Sequence, residues 1–297
     1  MKVLITGATG QVGWRLKPLL SEIAETIALG HEVMDLSCAE SIRKAIRAVR
    51  PDVIVNAAGR THVDHAESEQ ALTHAVNAVA PGVMAEEARR LGALLVHYSS
   101  VYVFDGSKSS AYVETDTPNP INEYGRSKLL GEQAIAAAGG AYLILRASWV
   151  YDVRARNFVL SMLRLAATHS ELNVVDDQIG SPTWARSLAE TTCALVRNVA
   201  NAKAATGVYN LAALGSISRY DFTRRMIALT QELRPGRPAP RLIRIKTRDF
   251  PVPAPRPLNS VLDNSKLLGA FDVPLPDWDA QLRGCLAELD PAAVRAA

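Results

Sequence analysis

A short apolar stretch followed at once by three evenly spaced glycines restricts the fold of this chain more than any other feature. Residues 2–6 read Lys-Val-Leu-Ile-Thr, and glycines follow at Gly7, Gly10 and Gly13. From residue 11 to residue 20 the apolar residues recur at helical spacing. A strand, a glycine loop and a helix in this order bring a helix amino terminus and accessible backbone N–H groups to a bound pyrophosphate. The pattern therefore predicts a dinucleotide-binding fold that starts at the first strand.

The glycine spacing is GxxGxxG, which differs from the GxGxxG of ordinary dehydrogenases. We expect NADPH or NADH to contact this loop and the ends of the following strands. At the end of the second strand the sequence has Gly30, His31 and Glu32, without the usual acid for the adenosine ribose. His31 suits either a 2′-phosphate or a solvated loop, so the choice between the two cofactors stays open. The candidate cofactor-binding residues are Gly7, Thr9, Gly10, Gln11, Val12, Gly13, Asp35, Leu36, Ala57, Ala58, Gly59, Ser99, Tyr124 and Lys128.

Strand-like and helix-like segments alternate through the first half of the chain, as in a doubly wound parallel sheet. We predict an α/β chain with a Rossmann-like NAD(P)-binding domain over residues 1–150. Residues 151–297 are predicted to form mainly a smaller, mixed α/β substrate-binding lobe, and the two lobes can interleave after residue 150. Seven prolines between residues 235 and 257 favour an extended segment over a core helix. The predicted strands are 2–6, 25–29, 51–56, 93–98, 141–146, 172–175 and 208–211. The predicted helices are 11–20, 39–49, 69–91, 157–168, 184–199, 218–231 and 277–289.

Composition and charge exclude several classes of function. A formal net charge of +3, without a long Lys/Arg run, gives little support for nucleic-acid binding. We find no apolar run of about 18 residues, so we expect no membrane span. The chain begins directly with a strand rather than a signal peptide, and its three cysteines lack CxxC spacing. These features predict reduced cysteines and a cytoplasmic location.

A Tyr-x-x-x-Lys motif, Tyr124 to Lys128, follows two serines at the end of a predicted strand, Ser99 and Ser100. Four residues make about one helical turn, so the phenol and the ammonium lie on the same helix face. A cation at that position lowers the tyrosine pKa, and the phenol then serves as an acid near neutral pH. A lone copy of this motif is more often an exposed helix face. Its position behind a dinucleotide fold favours catalysis.

Residues 61–67, Thr-His-Val-Asp-His-Ala-Glu, contain several side chains that bind metals. No second group of ligands stands out in the sequence, and the same polar residues suit a loop and a helix start. We therefore predict no metal site here.

With these motifs in this order, the chain resembles the extended short-chain dehydrogenase/reductases and, among them, the dTDP-4-dehydrorhamnose reductase family. The resemblance covers nearly the whole chain. The motifs that carry it are Gly7-Ala-Thr-Gly-Gln-Val-Gly13, Asn56-Ala-Ala, Thr61-x-Val63-Asp64-x-Ala66-Glu67, Tyr102-Val-Phe-Asp-Gly106, Tyr124-Gly-x-Ser-Lys128, Arg146-x-Ser-Trp-Val-Tyr151, Asp177-Gln-x-Gly-x-Pro-Thr183 and Arg256-Pro-x-Asn-Ser260.

This resemblance implies NAD(P)H-dependent reduction of the C4 ketone of a 4-keto-6-deoxy-hexose carried on dTDP, a step of dTDP-rhamnose and O-antigen biosynthesis. It implies that Tyr124 protonates the developing alkoxide, Lys128 holds the nicotinamide ribose and Ser100 polarises the carbonyl. Trp149 suits a core position equally well, and Arg256 either faces the substrate diphosphate or caps its turn. The residues that the resemblance places at the nucleotide sugar are Thr61, Val63, Ser100, Tyr102, Trp149, Gln178, Pro182, Thr183 and Arg256.

The chain departs from the family pattern at three positions. Val101 replaces an aspartate after the two serines, the acid for the adenosine ribose is missing, and Arg15 stands where some relatives have an acidic ligand of a dimer-bridging magnesium. Because a cation cannot bind a metal, the resemblance implies no such magnesium site and a monomer or metal-free homodimer. Three alternatives stay open: a reductase of another 4-keto nucleotide sugar, an epimerase that retains its cofactor, and a non-catalytic regulatory subunit.

Overall fold

The computed structural model describes residues 1–233 and 238–290 of the 297-residue chain. The strands in chain order are β1 (Lys2–Thr6), β2 (Glu25–Leu29), β3 (Val53–Asn56), β4 (Leu94–Ser100), β5 (Ala141–Ala147), β6 (Val150–Tyr151), β7 (Glu171–Val175), β8 (Ile179–Gly180), β9 (Thr183–Trp184), β10 (Gly207–Asn210), β11 (Ile217–Ser218), β12 (Arg241–Ile245) and β13 (Asn259–Ser260).

The helices cover the sheet and build the later part of the chain. They are α1 (Gly13–Ser21), α2 (Ala39–Val49), α3 (Val63–Ser68), α4 (Gln70–His74), α5 (Ala80–Leu91), α6 (Glu123–Ala138), α7 (Phe158–Thr168), α8 (Ala185–Arg197), α9 (Val199–Ala204), α10 (Arg219–Leu233), α11 (Ser265–Phe271) and α12 (Trp278–Glu288).

One parallel sheet organises the fold. Among the described residues it contains six strands in the order β2-β1-β3-β4-β5-β10. The order reverses between β1 and β3, and the carboxyl ends of the strands at such a switch point form the ligand crevice of doubly wound folds. The predicted α/β fold with a Rossmann-like sheet is confirmed.

Both faces of this sheet are buried, as its continuous apolar strands require. Leu4 and Ile54 pack with α2, α5 and α6 on one face. Val3 and Val55 pack on the other face with α1, α8, α9 and α11. Three of these helices, α8, α9 and α11, and the strand β10 come from beyond residue 150. A domain division near residue 150 stays a prediction.

A separate apolar core holds the later part of the chain together. Tyr151, Phe222 and Leu282 pack there with side chains of α7, α10 and α12 and of β7. Three small sheets lie in this part or connect it to the rest of the chain: β11-β8-β13, β12-β7 and β6-β9. This arrangement places β8 and the start of α10 next to Trp149.

The structure modifies several predicted segments. The helix expected over residues 69–91 contains a π-helical turn at Ala75–Val79, which turns the buried Asn77 toward Ser127 of α6. The helix expected over residues 184–199 ends at Arg197, and α9 follows. Of the proline-rich stretch 235–257, residues 235–237 lie outside the described residues, and residues 238–257 contain β12 and one 3₁₀ turn. Across residues 1–233 and 238–290, no helix is long and apolar enough to cross a membrane.

Candidate active site

The glycine loop after β1 lies against the end of β3. Gly7 has a φ of +68°, and a Cβ there would lie 2.6–2.7 Å from the backbone of Ala57 and Ala58. The loop closes with a hydrogen bond from the Gly10 N–H to the Gly7 carbonyl oxygen at 2.9 Å. Only glycine fits this backbone and this close approach. The result is a side-chain-free cradle at the switch point of the sheet, which fits a diphosphate.

A cavity of about 710 Å³ opens beside this cradle. Its volume is within the range of small-molecule and cofactor sites. Its wall includes six predicted cofactor residues: Gly7, Thr9, Asp35, Leu36, Ala58 and Gly59. Gly10, Gln11, Val12, Gly13 and Ala57 belong to the loop and strand end behind it. The wall also contains Lys17, His31 and Arg60, of which sequence reasoning missed Lys17 and Arg60 because neither belongs to a recognisable motif.

Asp35 holds the turn at the rim of this cavity. Its Oδ1 accepts hydrogen bonds from the Ser37 backbone N–H at 2.8 Å and from the Ser37 hydroxyl at 2.7 Å. Both bonds lower the Asp35 pKa, and the bond from the Ser37 hydroxyl has the larger effect. The N-cap of α2, which follows this turn, is Cys38.

The start of α6 positions Tyr124. Asn122 caps this helix by accepting a hydrogen bond from the Gly125 N–H at 2.8 Å. A Cβ on Gly125 would collide with the Tyr102 carbonyl oxygen, so glycine lets the helix start lie against the turn that follows Ser100. This close packing brings the Tyr124 ring edge-on to the Tyr102 ring, with 5.9 Å between centroids.

Tyr124 is a neutral phenol in this arrangement. Burial raises its pKa to about 12, a hydrogen bond with Ser100 opposes the increase, and Tyr102 adds to it. The expectation that Lys128 lowers this pKa toward neutrality is therefore wrong for this arrangement, because burial outweighs the neighbouring groups. The phenol retains its proton throughout the neutral range, as an acid for ketone reduction must.

Lys128 lies one turn later with its side chain inside the protein, 4% exposed. Its Nζ donates a hydrogen bond to the Tyr98 carbonyl oxygen at 2.6 Å and lies 3.2 Å from His97 Nε2. Burial lowers the Lys128 pKa to about 8, and Glu132 opposes that decrease. A buried lysine that titrates this close to neutrality is more typical of functional sites than of structural ones.

The adjacent Glu132 has its own partners. It accepts two hydrogen bonds from Arg146, at 3.0 Å from Nε and 2.6 Å from Nη2, and one from the Ser99 hydroxyl at 2.5 Å. The Ser99 side chain therefore points to this buried ion pair. The structure thus groups Ser100, Tyr124 and Lys128 together and directs Ser99 elsewhere.

Trp149 and Arg219 stack on each other. Trp149 has a φ of +44°, unusual for a residue with a side chain. The Arg219 guanidinium lies 3.6 Å from the centroid of the Trp149 ring and 4.5 Å from that of Phe158. Burial lowers the Arg219 pKa to about 10, and the positive charge of Arg256 lowers this pKa further. Tyr102 opposes the decrease through its charge interaction and a hydrogen bond. No carboxylate of the described residues lies within ion-pairing distance of Arg219. Sequence reasoning missed this residue because a single arginine at a helix start gives no signal.

The other predicted substrate residues have different surroundings. Arg256 donates to Asp64 Oδ2 at 2.8 Å and to the Ala254 carbonyl oxygen at 2.7 Å, so its charge is already compensated. Thr183 is fully buried, and its hydroxyl bonds backbone groups of Ser181 and Ala213. Gln178 donates to the Thr247 hydroxyl at 3.1 Å.

The three remaining substrate candidates differ in exposure. Pro182 is buried, Val63 packs beside Tyr102 and Tyr124, and Thr61 is exposed. The structure therefore brings Val63, Ser100 and Tyr102 close to Tyr124, with Trp149 joined to them through Arg219. Thr183 and Arg256 are mainly engaged with the protein itself.

The departures noted in the sequence have physical consequences. Val101 is buried in an apolar cluster with Val103 and Phe104, so its methyl groups fill space in the core. Arg15 pairs with Asp152 and Glu288, each at 2.7 Å.

His62 stacks on His65, and within the described part of the chain no group of three or more His, Cys, Asp or Glu is arranged to hold a metal ion. Cys193 and Cys285 are buried free thiols, and Cys38 is an exposed one.

Comparison with known proteins gives the same picture as the geometry. The family model described as RmlD substrate binding domain matches residues 1–290. The chain belongs to the RmlD substrate binding domain family. This RmlD-family chain is 43% identical to a dTDP-4-dehydrorhamnose reductase of Burkholderia thailandensis, over 97% of this chain and 99% of the relative. It is 38% identical to a dTDP-4-dehydrorhamnose reductase of Escherichia coli K12, over 97% of this chain and 98% of the relative. Among solved structures, a dTDP-4-dehydrorhamnose reductase of Bacillus anthracis in complex with NADP superposes with a TM-score of 0.89 at 31% identity, covering 97% of this RmlD-family chain and 99% of the other.

Proposed function

We propose that this protein is a dTDP-4-dehydrorhamnose reductase, which reduces the C4 ketone of dTDP-4-dehydro-6-deoxy-L-mannose to dTDP-L-rhamnose with NADPH or NADH. The observation that carries the proposal is the convergence of Tyr124, Ser100 and Lys128 at the carboxyl end of β4, next to the glycine cradle. The identity to reductases of that name over almost the full chain supports the choice of substrate.

The cofactor fits the residues present. The glycine cradle receives a diphosphate, and Asp35 and Leu36 lie in the cavity wall on the adenosine side. When bound, the reduced nicotinamide supplies the hydride. Lys17 and Arg60 offer positive charge to an anionic dinucleotide, although Arg60 already pairs with Glu69, and His31 lies in the same wall. Lys128 has donor capacity left for a ribose hydroxyl after its bond to Tyr98.

Each catalytic side chain has one task in this reaction. The Ser100 hydroxyl, which is hydrogen-bonded to Tyr124, is placed to hold the substrate carbonyl oxygen. Tyr124 donates its phenolic proton to that oxygen as negative charge develops there. Desolvation keeps the phenol protonated until the oxygen becomes basic enough to take the proton.

The substrate diphosphate and sugar are proposed to lie between Trp149, Tyr102 and Arg219. Arg219 is the more available cation for an anionic nucleotide sugar, because Arg256 already pairs with Asp64. We propose a division near residue 150 into mainly cofactor-binding and mainly substrate-binding lobes. A cytoplasmic location and a monomer or metal-free homodimer stay predictions.

The test is loss of absorbance at 340 nm when the protein is mixed with enzymatically prepared dTDP-4-dehydro-L-rhamnose. NADPH and NADH are run in parallel, and product stereochemistry is read by NMR. Formation of dTDP-L-rhamnose supports the proposal and ranks the cofactors. No oxidation by folded protein that still binds NADPH would contradict it and direct attention to another 4-keto nucleotide sugar.

A further inference from the structure

A chain of four polar side chains connects the end of β1 with the catalytic lysine inside the protein. Thr6 Oγ1 lies 2.6 Å from Asn56 Oδ1, Asn56 Nδ2 lies 3.0 Å from His97 Nδ1, and His97 Nε2 lies 3.2 Å from Lys128 Nζ. His97 and Asn56 are both essentially inaccessible to solvent. Because no water can substitute for a missing partner, the donors and acceptors in this chain must match.

The orientation of the Asn56 amide is fixed by the backbone. Its Oδ1 accepts a hydrogen bond from the Ala58 N–H at 3.2 Å. Rotating the amide by 180° would place its NH₂ group against this N–H donor, so the observed orientation is the one that matches. Asn56 Nδ2 therefore donates to His97 Nδ1.

This bond determines the tautomer of His97. Burial, and then the positive charge of Lys128, hold the His97 pKa well below its usual range, so the ring is neutral. A neutral imidazole that accepts at Nδ1 carries its proton on Nε2. The Nε2–H therefore points at the Lys128 nitrogen.

A free amine satisfies this arrangement and an ammonium does not. The lone pair of a free amine accepts from His97 Nε2–H, one N–H donates to the Tyr98 carbonyl oxygen, and one N–H remains for a ligand. An ammonium has only donors, so one of its N–H groups would face the imidazole N–H.

The charged and titratable groups around Lys128 are few. Tyr124 and Glu132 lie on the same helix, and burial keeps the phenol of Tyr124 neutral. Glu132 favours the ammonium, but its charge is shared with Arg146 of β5 through two hydrogen bonds. His97 of β4 is the group in direct contact, and the neighbouring π-helical turn contributes the uncharged Asn77.

We propose that His97, oriented by Asn56, is a positioning residue for Lys128: its Nε2–H donates to the free amine and disfavours the ammonium. The protonation state of Lys128 then sets the charge next to the proposed position of the cofactor ribose. Any catalytic consequence of this role rests on the proposed reductase function. The tautomer of His97 and the protonation equilibrium of Lys128 do not, because both can be measured without a substrate.

The first test is ¹⁵N NMR of the histidine side chains in the unmodified protein, with the His97 signal assigned by its absence from a His97→Phe sample. The expected result is a neutral ring with its proton on Nε2 and an unprotonated Nδ1. A proton on Nδ1 would overturn the proposal, whatever the enzyme reduces.

The second test uses Asn56→Asp, which has nearly the same shape. A carboxylate accepts from Ala58, Thr6 and His97 together, so the proton moves to Nδ1 and Nε2 becomes an acceptor for an ammonium. The expected result is the reversed tautomer by NMR and an upward shift of about one pH unit in the midpoint of the pH dependence of NADPH affinity. Thr6→Val serves as the tautomer control, because it removes one donor to Oδ1 and leaves the amide nitrogen facing His97.

Asn56→Asp also adds a negative charge, which could shift the pH dependence without any change of tautomer. This direct effect is measured by comparing the double variant Asn56→Asp/His97→Phe with His97→Phe alone. If Asn56→Asp no longer shifts the midpoint of the pH dependence of NADPH affinity once His97 is Phe, the proposal is supported. If the full shift remains in the His97→Phe background, the proposal is refuted. Neither readout needs the sugar substrate, so a wrong substrate assignment and a wrong role for His97 give different results.

Discussion

Two buried clusters of charged and polar side chains in this protein use opposite arrangements. Around Asp152, which is fully buried, the carboxylate accepts hydrogen bonds from the indoles of Trp14 and Trp184, from Arg15 and from the Val153 backbone, at 2.7–3.1 Å. Around Tyr124, by contrast, the Lys128 amine has one backbone acceptor and a neutral histidine. The first cluster is complete within the protein, and the second has bonding capacity left over.

The difference shows how a single chain separates stability from function. A buried charge with all its partners holds secondary structures in place, here α1 against β9 and α12. A buried titratable group with incomplete partners has a shifted pKa and a preference for a ligand that completes it. The four predictions below test this contrast, beginning with the largest effect.

Replacement of Tyr124 by Phe removes the proton donor and leaves the surrounding packing nearly intact. Turnover should fall about 10²- to 10⁴-fold, the range that general acids contribute. NADPH affinity, followed by fluorescence, should change by no more than about twofold, because the phenol is proposed to act on the substrate oxygen. Turnover within tenfold of the unmodified enzyme would exclude Tyr124 as the acid.

Replacement of Asp152 by Asn breaks the complete cluster. It leaves Arg15 without its buried partner and places an NH₂ group among donors, so the free energy of unfolding should fall by about 3–5 kcal/mol. Urea denaturation measures the change. Arg241→Ala is the control, because its ion pair with Glu171 is mostly exposed, at 75% and 53%, and should contribute less than about 1 kcal/mol. Equal effects of the two variants would contradict the contrast.

Replacement of Lys128 by Met should impair activity and remove the pH dependence of stability that the buried lysine causes. Its pKa is lowered from 10.5 to about 8 in the folded protein, so below pH 8 the fold carries a penalty on the order of 3 kcal/mol for the buried ammonium. Between pH 8 and 10.5 the unfolded chain binds the extra proton, and the stability of the unmodified protein therefore rises with pH. The stability of the variant relative to the unmodified protein, from denaturation at pH 7 and pH 10, should therefore fall across this range, because the loss of the bonds to Tyr98 and His97 is a cost at both pH values. A constant difference across this range would show that Lys128 titrates normally.

Replacement of Arg219 by Gln removes the stacked cation from the substrate side. The KM for the nucleotide sugar should rise about tenfold or more, since a hydrogen bond to a charged group contributes about 1.5–3 kcal/mol. The affinity for NADPH should not change. Arg219→Lys keeps the charge but loses the planar stack on Trp149, and should recover only part of the loss. Normal KM values in both variants would remove Arg219 from the substrate site.

Local pattern was enough to predict the sheet and its glycine cradle. The run before Gly7 and the alternation of strands and helices depend on near neighbours in sequence, and β1 and α2 have the predicted bounds. The pKa of Tyr124 was not predictable in this way, because burial is a property of the assembled protein. Arg219 and His97 were also missed: their roles depend on Trp149 and Asn56, which lie 70 and 41 positions away in sequence.

The return of β10 to the central sheet has a consequence for dividing the gene. A fragment that stops near residue 150 would lack β10, α8, α9 and α11, leaving one edge of β5 with unpaired backbone groups and one apolar face of the sheet uncovered. An uncovered edge strand of this kind promotes association between copies. Swapping substrate specificity between relatives is therefore better done by exchanging the segments from Trp149 to Thr183 and from Ile217 to Arg219 than by joining two halves at one crossover point.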